Sequence, residues 1–253
     1  MTTATTTGAA TAEQELLDLI ARSYNEEDGF ERVLMRYKVQ AILPLIRGGG
    51  HALDVGCGYG HLCRVLSEHC RSVVGVDGSP EKIARASAEN RPVNVSYHCS
   101  LFEDWEAPRR FDAIVATNFL EHVADPVGFL TRCRDLLSDG RDGSGGRVIV
   151  TVPNALSLHK RIGRAMGLID DFYALTQADR EKGHLRIYDR DRLAADFRSA
   201  GLRPVVSSGI LLKPFSHKQM EGVDPKIVDA LLEVGKDLPD WCTSLLVCAE
   251  RDA

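Results

Sequence analysis

The run His-Ala-Leu-Asp-Val-Gly-Cys-Gly-Tyr-Gly at residues 51–60 decides the fold. A short apolar stretch feeds directly into three glycines at alternate positions, and helix-forming sequence follows. This is the signature of a buried strand turning sharply into a helix. Glycine lets the backbone take left-handed angles and pass close to a ligand, where a Cβ would clash.

Outward from that turn, β-rich runs at 51–55, 72–77, 93–99, 111–117 and 147–152 alternate with helical stretches at 60–69, 80–90 and 126–137. Alternation of this kind predicts a parallel sheet with helices on both faces. Apolar spacing over 13–46, broken near Asp28-Gly29, predicts two helices ahead of the first strand. Beyond residue 152 the pattern predicts a helix over 154–169, irregular chain over 170–188 and a helix over 190–200 ended by Gly201. Strands are expected at 204–210 and 244–251, around a polar, partly helical insert at 213–241. Residues 138–146 read as a flexible loop.

The chain has 253 residues, enough for one α/β domain with a modest substrate cap. Residues 1–12, nearly all Thr and Ala, read as a disordered lead-in to a single domain over 13–253, with cap inserts at 153–189 and 212–241. With 31 basic against 36 acidic side chains, the balance argues against a general electrostatic hold on nucleic acid or an anionic membrane. Seven scattered cysteines lack zinc-type or paired spacing, so the expectation is a reduced compartment, no disulfides and no metal. No signal or membrane-spanning run is visible, which points to the cytoplasm.

The second strand ends in Val-Val-Gly-Val-Asp at 73–77, about 20 residues after the glycines, where such folds place an acid on a ribose. The spacing Gly-x-Gly-x-Gly, with Asp54 before it, departs from the Gly-x-Gly-x-x-Gly that seats a pyrophosphate and favours a ligand without one.

With these motifs, the chain resembles the class I S-adenosylmethionine-dependent methyltransferases, on the small-molecule branch near the ubiquinone-biosynthesis and natural-product enzymes. The likeness is best over about residues 30–155. It implies a Rossmann-like seven-stranded methyltransferase sheet with helices on both faces, an antiparallel last strand and a small helical cap. S-adenosylmethionine is then the cofactor and S-adenosylhomocysteine the product. By the same resemblance, Asp54, Gly56, Cys57, Gly58 and Gly60 face the methionine part. Asp77 takes the ribose hydroxyls beside Gly78 and Ser79, and Ser100, Leu101 and Phe102 border the adenine. Asn118, Phe119 and Leu120 line the region near the sulfonium. Arg36 is either a partner for the methionine carboxylate or a surface charge.

Methyl transfer is an in-line displacement that needs positioning first and a base only where the acceptor must lose a proton. In Thr-Asn-Phe-Leu-Glu-His-Val at 117–123, similar to the family's Leu-Glu-His-Val segment, His122 stands at the carboxyl edge of the sheet and is a candidate base. Its alternative is to order the loop by backbone hydrogen bonding, and Glu121 reads as a structural partner. His184, Arg186 and Tyr188 share one side of an extended run, His184 as a second catalytic candidate and the others to meet substrate, or all three to pin the cap. His159, Arg161, Lys213 and His217 suggest a polar or anionic acceptor, although charge runs are more often solvated helix faces. The resulting expectation is methyl transfer to oxygen, or nitrogen, of a small molecule by a monomer or homodimer. Peptide side-chain N-methylation and a non-catalytic cofactor-binding regulator are the alternatives.

Overall fold

A computed structural model describes residues 29–139 and 145–252. The expected lead-in, the first N-terminal helix and the middle of the 138–146 loop lie outside them. The described strands are β1 (His51–Val55), β2 (Ser72–Asp77), β3 (Val95–Cys99), β4 (Ala113–Thr117), β5 (Arg147–Pro153), β6 (Leu202–Ile210) and β7 (Ser244–Arg251). They form one seven-stranded sheet in the order 3-2-1-4-5-7-6. β1 to β5 pair in parallel, and β7 runs antiparallel between β5 and β6. Strand order reverses between β1 and β4, and a crevice opens at the carboxyl ends of such a pair.

The helices are α1 (Gly29–Ile42), α2 (His61–Leu66), α3 (Pro80–Glu89), α4 (Pro126–Asp135), α5 (Leu158–Ala165), α6 (Gln177–Glu181), α7 (Arg190–Ser199), α8 (His217–Met220) and α9 (Pro225–Gly235). Strand alternation sends side chains to two cores. Leu53, Val55, Ile114, Val148, Val150, Leu245 and Val247 pack with Phe129, Leu130 and Cys133 of α4 and Leu193 and Phe197 of α7. Ala52, Ala113, Val115, Ile149 and Leu246 meet Phe30, Leu34 and Tyr37 of α1 and Leu62, Cys63 and Leu66 of α2 on the other face. Fully burying one such leucine or phenylalanine contributes about 1.5–3 kcal/mol, so these central positions fix the register.

Sequence and structure part where tertiary hydrogen bonds override local pattern. The helix expected over 154–169 starts only at Leu158, because the Asn154 side chain donates to the Asp240 and Cys242 carbonyls and accepts from Leu156 N–H. The irregular 170–188 segment contains α6, started by a capping box between Thr176 and Asp179. Pro204 lies on the edge strand β6 beside a register shift, where its missing N–H breaks no interior ladder.

Candidate active site

The turn after β1 carries φ of 70° at Gly56, 53° at Gly58 and 80° at Gly60. Gly56 N–H and Cys57 N–H both donate to the Val76 carbonyl, at 2.8 and 3.1 Å, tying the turn to β2. A Cβ on Gly56 would lie 2.3 Å from the Phe119 ring, so the turn and the loop after β4 touch only because residue 56 has no side chain. Asp54 is buried below the turn and accepts from the Cys63 thiol at 3.2 Å.

Asp77 ends β2 with a carboxylate that accepts from Gly58 N–H and Ser79 N–H, each at 2.9 Å. These bonds hold the glycine turn against the start of α3, and the oxygens keep lone pairs for further donors. Ser79 accepts from Lys82 N–H and so caps α3, with Gly78 in the same turn. Ser100 N–H donates to the Asp77 carbonyl at 3.1 Å, which brings Ser100 and the half-buried Leu101 alongside.

Asn118 adopts φ of 49°, a left-handed angle that Asn tolerates better than most residues, at the strand-order reversal. Beyond it Glu121, at 1 % exposure, has both carboxylate oxygens buried without a hydrogen-bond partner among the described residues. Burial raises its pKa to about 7 against the opposing pull of His184, Lys38 and Lys182. The sequence reading of Glu121 as a structural hydrogen-bond partner is thereby corrected.

His122 Nδ1 lies 3.2 Å from the Gly183 carbonyl, which places the proton on Nδ1 and leaves Nε2 with its lone pair. Burial, then the charge of His184, pulls its pKa to about 4, so the ring is neutral at pH 7. The ring of His184 meets that of His122 edge-on at 4.9 Å and is held by Asp179 Oδ1 at 3.0 Å. One donor atom from each of Glu121, His122 and His184 lies within 4.8 Å of the others, a set that could hold a cation and that sequence spacing did not reveal.

The segment carrying His184 docks on this loop. Leu185 N–H donates to the Glu121 carbonyl at 2.8 Å, and Arg186 donates to the carbonyls of Val123 and Ala124. Tyr188 is buried and donates to Asp196 at 2.9 Å. Of the His184, Arg186 and Tyr188 run, the structure therefore gives Arg186 and Tyr188 pinning contacts and brings His184 to His122. Four other candidate residues contact the protein itself, Arg36 in keeping with a surface charge. The Arg36 guanidinium is bound to Tyr37 at 3.0 Å and faces Asp229 at 3.7 Å, because α1 carries it outward. Phe102 packs on Phe129 at 5.1 Å, and Leu120 is fully buried; both belong to the core. Arg161 donates to the Leu156 carbonyl and stacks on Trp241 at 4.5 Å.

His217 pairs with Glu31 at 2.9 Å, and Lys182 approaches the same carboxylate at 3.9 Å. Although burial pushes upward, the His217 bond and the charges of Lys38, His217 and Lys182 hold Glu31 at about 2. Lys213 is 2 % exposed, and burial lowers its pKa to about 8. His159 is pulled to about 3 by burial and by the charges of Lys213, Lys160 and His217.

Residues 27–207 match the methyltransferase domain family. The chain belongs to that family. Its domain is of the class I S-adenosylmethionine-dependent methyltransferase kind. It is similar to the ubiquinone biosynthesis O-methyltransferase of Nitrobacter winogradskyi, 32% identical over 173 residues, 67% of this chain and 63% of that one. The chain thus spans just under two thirds of that relative. The Cereibacter sphaeroides protein of the same name is 30% identical over 190 residues, 74% of this chain and 73% of its own. In fold, the chain is similar to an S-adenosylmethionine dependent methyltransferase from Mesorhizobium loti, with TM-score 0.63 and 22% identity, covering 86% of this chain and 98% of the other. The 1,6-didemethyltoxoflavin-N1-methyltransferase of Burkholderia thailandensis gives TM-score 0.61 and 17% identity, covering 100% and 92%. The glycine turn and the Asp77 carboxylate meet at the carboxyl ends of β1 and β2, which suits a ligand bearing hydroxyl donors. No helix among the described residues is long and apolar enough to cross a membrane.

Proposed function

We propose that this chain moves a methyl group from S-adenosylmethionine to an oxygen, or a nitrogen, of a small polar acceptor seated against Glu121, His122 and His184. One observation carries the reading: the Glu121 carboxylate, buried without a hydrogen-bond partner among the described residues, lies beside His122 and His184 at the carboxyl end of β4, where Phe119 joins this loop to the glycine turn. The donor supplies an electrophilic methyl on a sulfonium. The protein's own work is to hold donor and acceptor in line and to exclude water. Asp77 and the turn over 56–60 bind the donor, with Ser79, Ser100 and Leu101 beside it.

His122 Nε2 takes the acceptor's proton or orients its hydroxyl, while Asp179 fixes His184 and the Gly183 carbonyl fixes His122. Oxygen is preferred because a hydroxyl must lose its proton as it is methylated, and because the relatives named above are O-methyltransferases. The inserts over 153–189 and 212–241 act as the acceptor's cap.

The test is transfer of labelled methyl from S-adenosylmethionine to a panel of small phenols, hydroxy acids and amines, with products identified by mass. His122→Ala and His184→Ala are expected to lower kcat about 100-fold while S-adenosylhomocysteine affinity is kept. Unchanged turnover in both variants would remove the two histidines from the chemistry.

A further inference from the structure

The Ser157–Lys160 segment and Lys213 bring polar groups without partners together. Ser157 is the N-cap of α5, yet its side chain makes no capping bond, and its hydroxyl is fully buried without a partner among the described residues. The first-turn N–H groups of Leu158, His159 and Lys160 have no intrahelical acceptor by construction. His159 Nδ1 is also buried without a partner.

Two ammonium groups, those of Lys160 and Lys213, act through space on His159 at this helix end. Lys213 is nearly inaccessible and makes no hydrogen bond or ion pair among the described residues, although the Glu31 carboxylate acts on it through space. Lys160 likewise has only the through-space charge of Asp179. The nearby acids are engaged elsewhere: Glu31 by His217 and Lys182, and Asp179 by His184 and Thr176. The charges of Lys160, Lys213 and His217 all act on His159, so the donors share one locale. Asp179 links that locale to His184 and hence to His122.

We infer that the N-terminus of α5, with Ser157, His159, Lys160 and Lys213, is an anion subsite that seats a carboxylate or phosphate group of the methyl acceptor. The inference rests on the reading that the acceptor sits against His122 and His184, and it narrows that acceptor to an anionic molecule. A helix N-terminus offers aligned N–H groups and a favourable dipole to an anion, and the ammonium groups add charge where water is excluded.

The test is a titration of inorganic phosphate, and separately acetate, into the full ¹⁵N-labelled chain loaded with S-adenosylhomocysteine, read at the amides of Leu158, His159 and Lys160. Saturable shifts at these amides are expected, with the dissociation constant raised at least tenfold in Lys213→Met and in Lys160→Met. The two anions distinguish a phosphate seat from a carboxylate seat. Lys160→Met keeps the test alive should Lys213→Met fail to fold, since Lys160 is less buried. Amides that do not respond, or respond equally in a folded variant, overturn the subsite. A Lys213→Met chain that loses affinity for S-adenosylhomocysteine also overturns it, because the cation would then serve the donor. A wild-type chain that binds no S-adenosylhomocysteine refutes the methyl-transfer reading instead, and the phosphate titration of the unloaded chain still decides the subsite.

Discussion

Gly56→Ala tests the contact that joins the two halves of the site. The backbone at Gly56 has φ of 70°, and an alanine there bears a left-handed penalty of about 1–2 kcal/mol. Its Cβ would also stand 2.3 Å from one Phe119 ring carbon and 3.0 Å from the next. Ordinary carbon contacts are about 3.5–4.0 Å, so the ring must withdraw by more than an ångström. Its surroundings resist, because Phe119 packs on Phe129 at 5.4 Å. Overpacking of this kind adds about 1–3 kcal/mol, for a total of roughly 2–5 kcal/mol. At about 2–4 °C per kcal/mol for a chain of this size, Tm should fall by about 4–20 °C. Calorimetry on Gly56→Ala, Phe119→Ala and the double variant separates the parts. The double variant should recover the overpacking share and retain the 1–2 kcal/mol backbone share. A Gly56→Ala chain within 0.5 kcal/mol of wild type, a bound taken from ordinary surface substitutions, would refute the reasoning.

Other perturbations follow from the charges. Glu31 is held near 2 against an ordinary 4.5, so its stabilising contribution is full above pH 4.5 and is lost as pH falls toward 2. Glu31→Gln should flatten the acid limb of a stability-against-pH curve measured by urea unfolding, by on the order of 1–3 kcal/mol after allowance for partial exposure. His159 is held near 3 against an ordinary 6.5, so the unfolded chain binds the extra proton between those values. Stability therefore rises with pH across that window and is complete above 6.5, and His159→Asn should remove this slope. Arg186→Met removes the guanidinium that holds the carbonyls of Val123 and Ala124. It should loosen the 183–188 segment, visible as faster amide exchange at Leu185, and raise acceptor KM more than it weakens donor binding.

The central strands were legible because continuous apolar runs with clear breaks leave little choice of register. β1 and β2 begin and end where the sequence pattern places them. The glycine turn and Asp77 were legible for the same local reason, since both lie where a strand hands over to a helix. What sequence could not show depends on distant partners. Asn154 leaves its expected helix for carbonyls of residues 240 and 242. Arg36 turns away on α1 to Tyr37 and Asp229. His122 and His184 were each singled out on local grounds, but their ring contact needed the 183–188 segment folded onto the loop after β4. Asp179 had a signal, the Thr176-x-x-Asp179 capping pattern, though its hold on His184 did not. Glu121 was misread because nothing in Leu-Glu-His-Val tells whether a carboxylate finds a donor once buried.

The most direct test of the central claim is calorimetric titration of the full chain with S-adenosylhomocysteine, repeated on Asp77→Ala. That substitution removes the acceptor of two backbone N–H groups that hold the glycine turn to α3, together with the oxygens proposed to meet the ribose. The account predicts binding in the micromolar range by the intact chain, weakened at least tenfold by Asp77→Ala with the fold retained. Equal affinity in a folded Asp77→Ala chain, or no binding by the intact chain, would contradict it.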